Sequence, residues 1–308
     1  MFNPMLKIGR LLPLLAFFIC EMACSQTEVI YPSSVSNIDS RHRDLIELLT
    51  MSLEKTIPEY GEYTLTPSKL KMNEARALTE LQNNELVNVV WSPTSEAMET
   101  QFIPIRVPLR KGLLGLRIAL INSKNKAAID TIKTVADLRK FSIGQGIGWG
   151  DVSVYQANVI PVETANYDAL FSMTAHDRFY LFPRGITEIF SEFELRKASF
   201  PELEIEKNLM IYYPWPYYFF VNKNNKKLAD RISLGLERMI TDGSFNRIFM
   251  KYNGAAIRSA NLNKRRIIQL ENPQLPKKTP LDARYWFFPS LIKSAVLNQS
   301  QHGNIHNE

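Results

Sequence analysis

Residues 26–91 alternate between the period-2 pattern of strands and the 3.6-residue period of helices. The predicted strands cover residues 28–31, 63–66 and 86–91. The first predicted helix carries leucines at helical spacing, namely Leu45, Leu48, Leu49 and Leu53. A second helix is predicted at 73–82. The resulting order, β-α-β-α-β, predicts an α/β domain built on a parallel sheet.

The rest of the chain continues this alternation up to residue 260. Further strands are predicted near Gly112 and Gly115 and at 141–144 and 179–182, and helices at 167–175, 188–197, 228–240 and 245–252. The aromatic, β-prone stretch 209–221 contains Pro214 and Pro216. Because proline does not fit the middle of a sheet, we predict that this stretch crosses between domains. Four prolines interrupt the segment after Asn261, and no periodicity is clear there.

The first 25 residues have the order of a secretory signal. Lys7 and Arg10 precede an apolar run at 11–20, and Ala23 and Ser25 place small residues before a predicted cut at residue 26. Lipoprotein cleavage before Cys24 is the alternative. The predicted mature chain has no cysteine, since Cys20 and Cys24 are the only two in the sequence. An exported chain without cysteine depends on its hydrophobic core, which suits a bacterial periplasm.

Composition narrows the class of protein. The 308 residues are 45% hydrophobic and 22% charged, which is ordinary for a globular protein. The apolar run at 11–20 is too short for a transmembrane helix. The formal charge of +6 comes from basic residues spread along the chain, which argues against nucleic-acid binding.

The residues give little support for catalysis or for a bound metal or cofactor. The four histidines are scattered, and neither an HExxH motif nor a GxSxG elbow occurs. The glycine-rich turn at 144–150 lacks the spacing of a dinucleotide or P-loop motif. Two interpretations of it stay open: a turn that needs positive φ, or a backbone cradle for an anionic ligand group.

Seven short motifs then occur in an order typical of one family. They are residues 88–94 (NVVWSPT), 103–118 (IPIRVPLRKGLLGLRI), 134–138 (TVADL), 143–151 (IGQGIGWGD), 178–185 (RFYLFPRG), 213–221 (YPWPYYFFV) and 242–245 (DGSF). Together they resemble the type II periplasmic solute-binding proteins, family 3, which include the polar amino-acid receptors of ABC transporters. A divergent subgroup, described only as substrate-binding-domain proteins, is most similar. The resemblance covers roughly residues 28–255.

The resemblance implies a two-lobe α/β fold, with mixed sheets flanked by helices and a two-strand hinge. Lobe 1 would comprise 26–110 plus 217–270, lobe 2 would comprise 116–212, and 271–308 would be a C-terminal tail. The hinge strands would cross at 111–115 and 213–216. Closure of the hinge would trap a ligand between the lobes.

The resemblance also implies ligand-binding residues. In lobe 1 these are Tyr31 and Trp91, followed by the hydroxyl residues Ser92, Thr94 and Ser95. In lobe 2 they are Trp149 and Asp151 of the glycine-rich turn, with Arg184 and Glu188. Met98 stands where the family carries its carboxylate-binding arginine, which argues against an ordinary α-amino acid. Arg184 either replaces that positive charge or pairs with Glu188, and both alternatives stay open.

The predicted function follows from these implications. The chain would be a periplasmic solute-binding protein for a small polar solute, amino-acid-like or a related organic anion. It would serve an ABC permease or a membrane sensor as a monomer, without a metal or cofactor. One alternative is an enzyme on the same scaffold, of dehydratase or lyase type, with Glu188 or Asp151 as general acid or base. Another is a module that binds a sensor without any transport role.

Overall fold

The computed structural model describes residues 26–33, 42–288 and 290–291. The predicted signal segment, with both cysteines, lies outside these residues. The strands are β1 Thr27–Ser33, β2 Tyr63–Lys71, β3 Val89–Pro93, β4 Ile103–Ile105, β5 Leu116–Asn122, β6 Ile143–Gly146, β7 Val162–Ala165, β8 Phe182–Gly185, β9 Leu203–Ile205, β10 Leu209–Tyr212, β11 Tyr217–Val221 and β12 Arg266–Gln269. The helices are α1 Arg43–Glu54, α2 Ile57–Tyr60, α3 Glu74–Asn83, α4 Glu96–Gln101, α5 Lys126–Ile129, α6 Val135–Leu138, α7 Asp151–Ala157, α8 Tyr167–Ala175, α9 Ile189–Arg196, α10 Lys226–Thr241 and α11 Ser244–Ala260. Of these helices, none has the length and apolar character needed to span a bilayer.

The parallel sheet predicted from the β-α-β-α-β order is confirmed for the first two strands and wrong for the third. β1 and β2 pair in parallel, but β3 pairs with β11 in antiparallel orientation, and β11 also pairs with β4. Asn88 joins the two sheets: its amide group donates to Glu28 O and accepts from Ile30 N, both at 2.8 Å. We call β3-β11-β4, with the β1–β2 pair, the first sheet group.

Helices α1 and α10 cover this first group. The four leucines at helical spacing on α1 are all at most 1% exposed, which confirms the periodicity prediction. They pack with Ile232, Leu236 and Phe219 in one apolar cluster. The helix predicted at 245–252 is longer in the structure, where α11 extends to Ala260.

The second sheet group has the strand order β12-β10-β5-β8, with β9 paired to β5 and a parallel β6–β7 pair beside it. The predicted 209–221 stretch is therefore two strands, because β10 lies in the second group and β11 in the first. Pro214 and Pro216 separate these two strands. Their positions agree with the prediction of a crossing at this point.

The two crossing segments lie side by side. Tyr213 N donates to Gly115 O at 3.2 Å. A Cβ atom on Gly115 would lie 1.8 Å from Tyr213 O, so only glycine allows this approach. The chain thus passes between the sheet groups before β5 and again before β11, close to the predicted 111–115 and 213–216.

The chain makes a further passage after α11. β12, within the 217–270 stretch predicted as lobe 1, pairs with β10 of the second group. The segment after β12 then returns along the crossings: Asn272 Nδ2 donates to Pro214 O at 2.9 Å, and Phe287 N donates to Lys111 O at 2.9 Å. Lys277 N donates to Glu96 Oε1 of the first group at 3.0 Å. The lobe boundaries stay a prediction, and the described residues after 271 contact both groups.

Candidate functional site

A cavity of about 690 Å³ lies between the two sheet groups. This volume is in the range that holds small ligands. Its polar and aromatic lining from the first group comprises Ser33, His42, Asp44, Asn73, Glu74, Trp91, Arg110 and Tyr217. The crossing and the second group contribute Leu114, Thr187 and Glu188, and α11 contributes Tyr252 and Asn253. A solute in this cavity would therefore contact both groups at once.

Trp91 forms the aromatic part of the cavity wall. It lies on β3, is 8% exposed, and its ring centroid is 6.0 Å from that of Tyr31 and 5.3 Å from that of His42. Phe219 packs against its other side at 6.4 Å, with the ring planes at 66°. The indole is thus fixed by neighbouring rings, which makes it a rigid surface for a ligand.

Arg110 and Asp44 form a bidentate ion pair in the same wall. Arg110 Nε lies 2.7 Å from Asp44 Oδ2, and Nη2 lies 2.9 Å from Oδ1. The guanidinium carbon is 5.5 Å from the centroid of the Tyr217 ring. Burial alone would lower the pKa of Arg110, but the hydrogen bonds and charge of Asp44 outweigh it, and the pKa is raised.

Two further carboxylates line the cavity. Glu74 is the first residue of α3, whose N-cap is Asn73, and its Oε1 accepts a 2.6 Å hydrogen bond from Ser92 Oγ. Glu188 precedes α9, and its side chain is 45% exposed. Arg184 Nη2 lies 3.1 Å from Glu188 Oε2. Negative charge therefore faces the cavity from both sheet groups.

Solved structures share this arrangement of sheets. The probable amino-acid ABC transporter extracellular-binding protein YtmK from Bacillus subtilis aligns at a TM-score of 0.54 with 19% identity, over 74% of this chain and 98% of that chain. YckB from the same organism aligns at 0.50 with 14% identity, over 80% of this chain and 97% of that chain. The chain has the two-lobe fold of the type II periplasmic binding proteins. No family model matches the sequence, and no curated protein matches it.

In this two-lobe fold, the nine predicted ligand-binding residues fall into three sets. Trp91 and Glu188 line the cavity. Tyr31 and Ser92 touch residues that line it, through the Trp91 ring and the Glu74 carboxylate. The other five make contacts within the protein, and whether any of the nine contacts a ligand stays a prediction.

Thr94 and Ser95 serve the local fold. Thr94 Oγ1 donates to Glu99 Oε1 at 3.0 Å, and the Thr94 carbonyl accepts from Trp215 Nε1 at 3.3 Å. Ser95 is the N-cap of α4 and accepts from Met98 N at 3.2 Å. Met98 itself packs against the apolar cluster behind β3. The helix that carries the family's arginine position is here a capped helix with an apolar residue at that place.

Arg184 pairs with carboxylates, as one of the two open alternatives states. It binds Glu192 through Nε and Nη2, both at 2.7 Å, in addition to its contact with Glu188. Its guanidinium carbon lies 4.6 Å from the centroid of the Trp149 ring. Trp149 also stacks on Phe182 at 6.4 Å. Arg184 and Trp149 therefore support each other beside the cavity.

Asp151 belongs to a buried network at the crossing. Its Oδ1 lies 2.7 Å from Arg117 Nη2 and accepts a hydrogen bond from the Tyr213 hydroxyl. Asp151 is also the first residue of α7, where a negative charge complements the helix dipole. Gly148 has φ of +78°, which fits the first interpretation of the glycine-rich turn. Because Asp151 already supplies an anion at α7, the geometry gives no support to the cradle.

Sequence reasoning missed several of the lining residues. Asp44, Glu74, Arg110 and Tyr217 come from four separate segments of the chain. The Asn73-Glu74 pair carries the signal of a helix start, but nothing local shows which way its carboxylate faces. In the described part of the chain, no group of three or more histidine, cysteine or acidic residues has the arrangement of a metal site.

Proposed function

We propose that this protein binds a small polar solute between its two lobes and is exported to the periplasm by the signal segment 1–25. It would close by a hinge at 111–115 and 213–216, and it would act as a monomer, without catalysis, for an ABC permease or a membrane sensor. The observation that carries the proposal is the cavity of about 690 Å³, which is lined from both sheet groups. Its place beside the two crossing segments supports the hinge, because rotation there changes the distance between its walls.

The first test is a thermal-shift screen of the purified mature chain against amino acids, organic acids, amines and sugars. A solute that binds only the native state stabilises it, by an amount that grows with concentration. At a hundredfold excess over Kd, we expect a shift of roughly 5 °C for a chain of this size. If no solute class raises the melting temperature, the solute-binding proposal is wrong.

The second test separates two tryptophans that the resemblance treats alike. Trp91 lines the cavity, whereas Trp149 stacks on Arg184 and Phe182 beside it. We expect Trp91→Phe to weaken binding of any solute found in the screen by about tenfold, since ring contacts contribute roughly 1 kcal/mol or more. Trp149→Phe should change the affinity less than about twofold. Isothermal titration of both variants measures this, and the reverse order would place the ligand against the glycine-rich turn.

The genes that neighbour this one would indicate which membrane protein is the partner. A permease encoded beside this chain would favour transport, and a cyclase or kinase would favour sensing. In either case the partner would recognise the closed form, because closure changes the relation between the lobes.

A further inference from the structure

Among the residues that the structure describes, carboxylates outnumber basic groups in the cavity lining. Asp44, Glu74 and Glu188 bring three carboxylates from three different segments, and Arg110 brings one guanidinium. The ordinary ligand of the family's fold carries a carboxylate that needs an arginine with donors to spare. The pairing of each nearby arginine therefore decides which charge the cavity accepts.

Among the described residues, three arginines lie at or beside the cavity, and each is already bound to a carboxylate. Arg110 makes a bidentate pair with Asp44 at 2.7 and 2.9 Å. Arg117, which is 4% exposed, pairs with Asp151 at 2.7 Å. Arg117 Nε has no hydrogen-bond partner within the described ranges, but Arg117 does not line the cavity. A carboxylate that took the Nε and Nη2 donors of Arg110 would have to displace Asp44, which would leave a buried charge without its counter-ion.

The third arginine is shared between two carboxylates. Arg184 makes two 2.7 Å hydrogen bonds to Glu192 and lies 3.1 Å from Glu188. One positive charge thus serves two negative ones, and the stronger contacts go to Glu192. Glu188, the more exposed of the two glutamates, retains negative charge toward the cavity.

Glu74, on the other side of the cavity, also keeps its negative charge. Its carboxylate accepts a hydrogen bond from Ser92, which carries no charge. Within the described residues, no lysine or arginine forms an ion pair with Glu74, and the nearby Arg76 pairs with Glu80 at 3.4 Å. The cavity consequently has two carboxylates with too little positive charge opposite them: Glu74 has no ion-pair partner among the described residues, and Glu188 shares Arg184 with Glu192.

The aromatic residues add to this preference. Trp91 and Tyr217 line the same cavity, and aromatic faces attract cations. The Tyr217 ring already holds the Arg110 guanidinium 5.5 Å from its centroid. From the charges and rings together, we infer that the ligand is a small organic cation, with ammonium or guanidinium groups and no carboxylate. This inference rests on the proposed solute-binding function and replaces the amino-acid-like solute or related organic anion expected from the sequence.

The test uses three probes with the same five-carbon chain and different charge: 1,5-diaminopentane, 5-aminopentanoate and glutarate. We expect the diamine to raise the melting temperature and to bind at least about tenfold more tightly than 5-aminopentanoate in isothermal titration. Glutarate should give no shift at the same concentration. Equal or tighter binding of either carboxylate-bearing probe would overturn the inference.

Neutral variants identify the groups responsible. Glu74→Gln and Glu188→Gln should each weaken diamine binding about tenfold, because each loses a charge-assisted contact. Glu163→Gln is the matched control, since Glu163 is exposed on β7 away from the cavity lining. If both cavity variants bind the diamine as well as the control does, the inference fails.

Failure of the inference and failure of the proposed function look different. If an anion or a zwitterion from the wider screen binds with the tightest affinity, solute binding stands and the cation inference falls. If a different cation binds and the three probes do not, the Gln variants are measured with that cation and the same outcomes apply. If nothing binds, both fall.

Discussion

Replacing Asp151 with asparagine is expected to lower the free energy of unfolding by about 3–5 kcal/mol, because it leaves the buried Arg117 charge without its partner. Arg117 is 4% exposed and Asp151 is 8% exposed. Burial opposes the charge on Arg117, but the carboxylate of Asp151 outweighs that effect and the pKa of the guanidinium is raised. Asparagine keeps the shape of the side chain and an acceptor for the Tyr213 hydroxyl, so the lost stability measures the contribution of the charge.

Urea denaturation of two further variants shows whether this interpretation holds. Asp168→Asn is the control, since Asp168 pairs with Arg196 at the surface with 78% of its side chain exposed. We expect it to cost less than about 1 kcal/mol. The double variant Arg117→Met with Asp151→Asn should recover much of the loss, because no buried charge then remains. If Asp151→Asn costs no more than Asp168→Asn, the carboxylate is free to serve a ligand.

Adding one methyl group at Gly235 is expected to destabilise the first lobe by about 3 kcal/mol or more, at the upper end of overpacking effects. Gly235 lies on α10 where that helix crosses α1. A Cβ atom there would be 2.0 Å from Ser52 O and 2.6 Å from Ser52 C, both backbone atoms. The two helices would have to separate, which would open the cluster that includes Leu48 and Leu236.

The matched control is a second helical glycine, which has side-chain atoms rather than backbone atoms nearby. A Cβ atom on Gly254 of α11 would meet only the ends of two flexible side chains, Arg258 Nη1 at 3.3 Å and Met250 Cε at 3.4 Å. Gly254→Ala should therefore raise the free energy of unfolding by roughly 0.5–1 kcal/mol through helix propensity. Chemical denaturation measures both variants. A loss of stability for Gly235→Ala and a gain for Gly254→Ala would confirm the close contact between Gly235 and Ser52. Equal changes would show that α1 and α10 separate without cost.

The local elements of this chain were largely predictable. The leucines of α1 lie in the core as their spacing predicts. Glycine and proline marked the crossings at 111–115 and 213–216, and a Cβ atom on Gly115 would lie too close to Tyr213 O. β12 was not predicted, because its four residues gain their pairing only from β10, more than fifty residues earlier.

The candidate site was only partly predictable. Residue type and motif order identified Trp91 and Glu188, which line the cavity. The same reasoning predicted ligand contacts for Asp151 and left Arg184 open between a ligand and an ion pair. In the structure both form buried ion pairs, and their contact with a ligand stays a prediction. The sequence does not distinguish a charged residue that contacts a ligand from one that forms an internal ion pair. The counter-ion comes from a distant segment of the chain, as Arg117 does for Asp151.

The sequence by itself determined the fold class, the alternation of elements and two of the three places where the chain passes between the sheet groups. These depend on periodicity and on glycine and proline, which act within a few residues of themselves. Only the tertiary structure decided that Asp44 neutralises Arg110 and that Glu74 and Glu188 share one cavity. Coulomb interactions depend on distance in space, so residues far apart along the chain set the charge of the site.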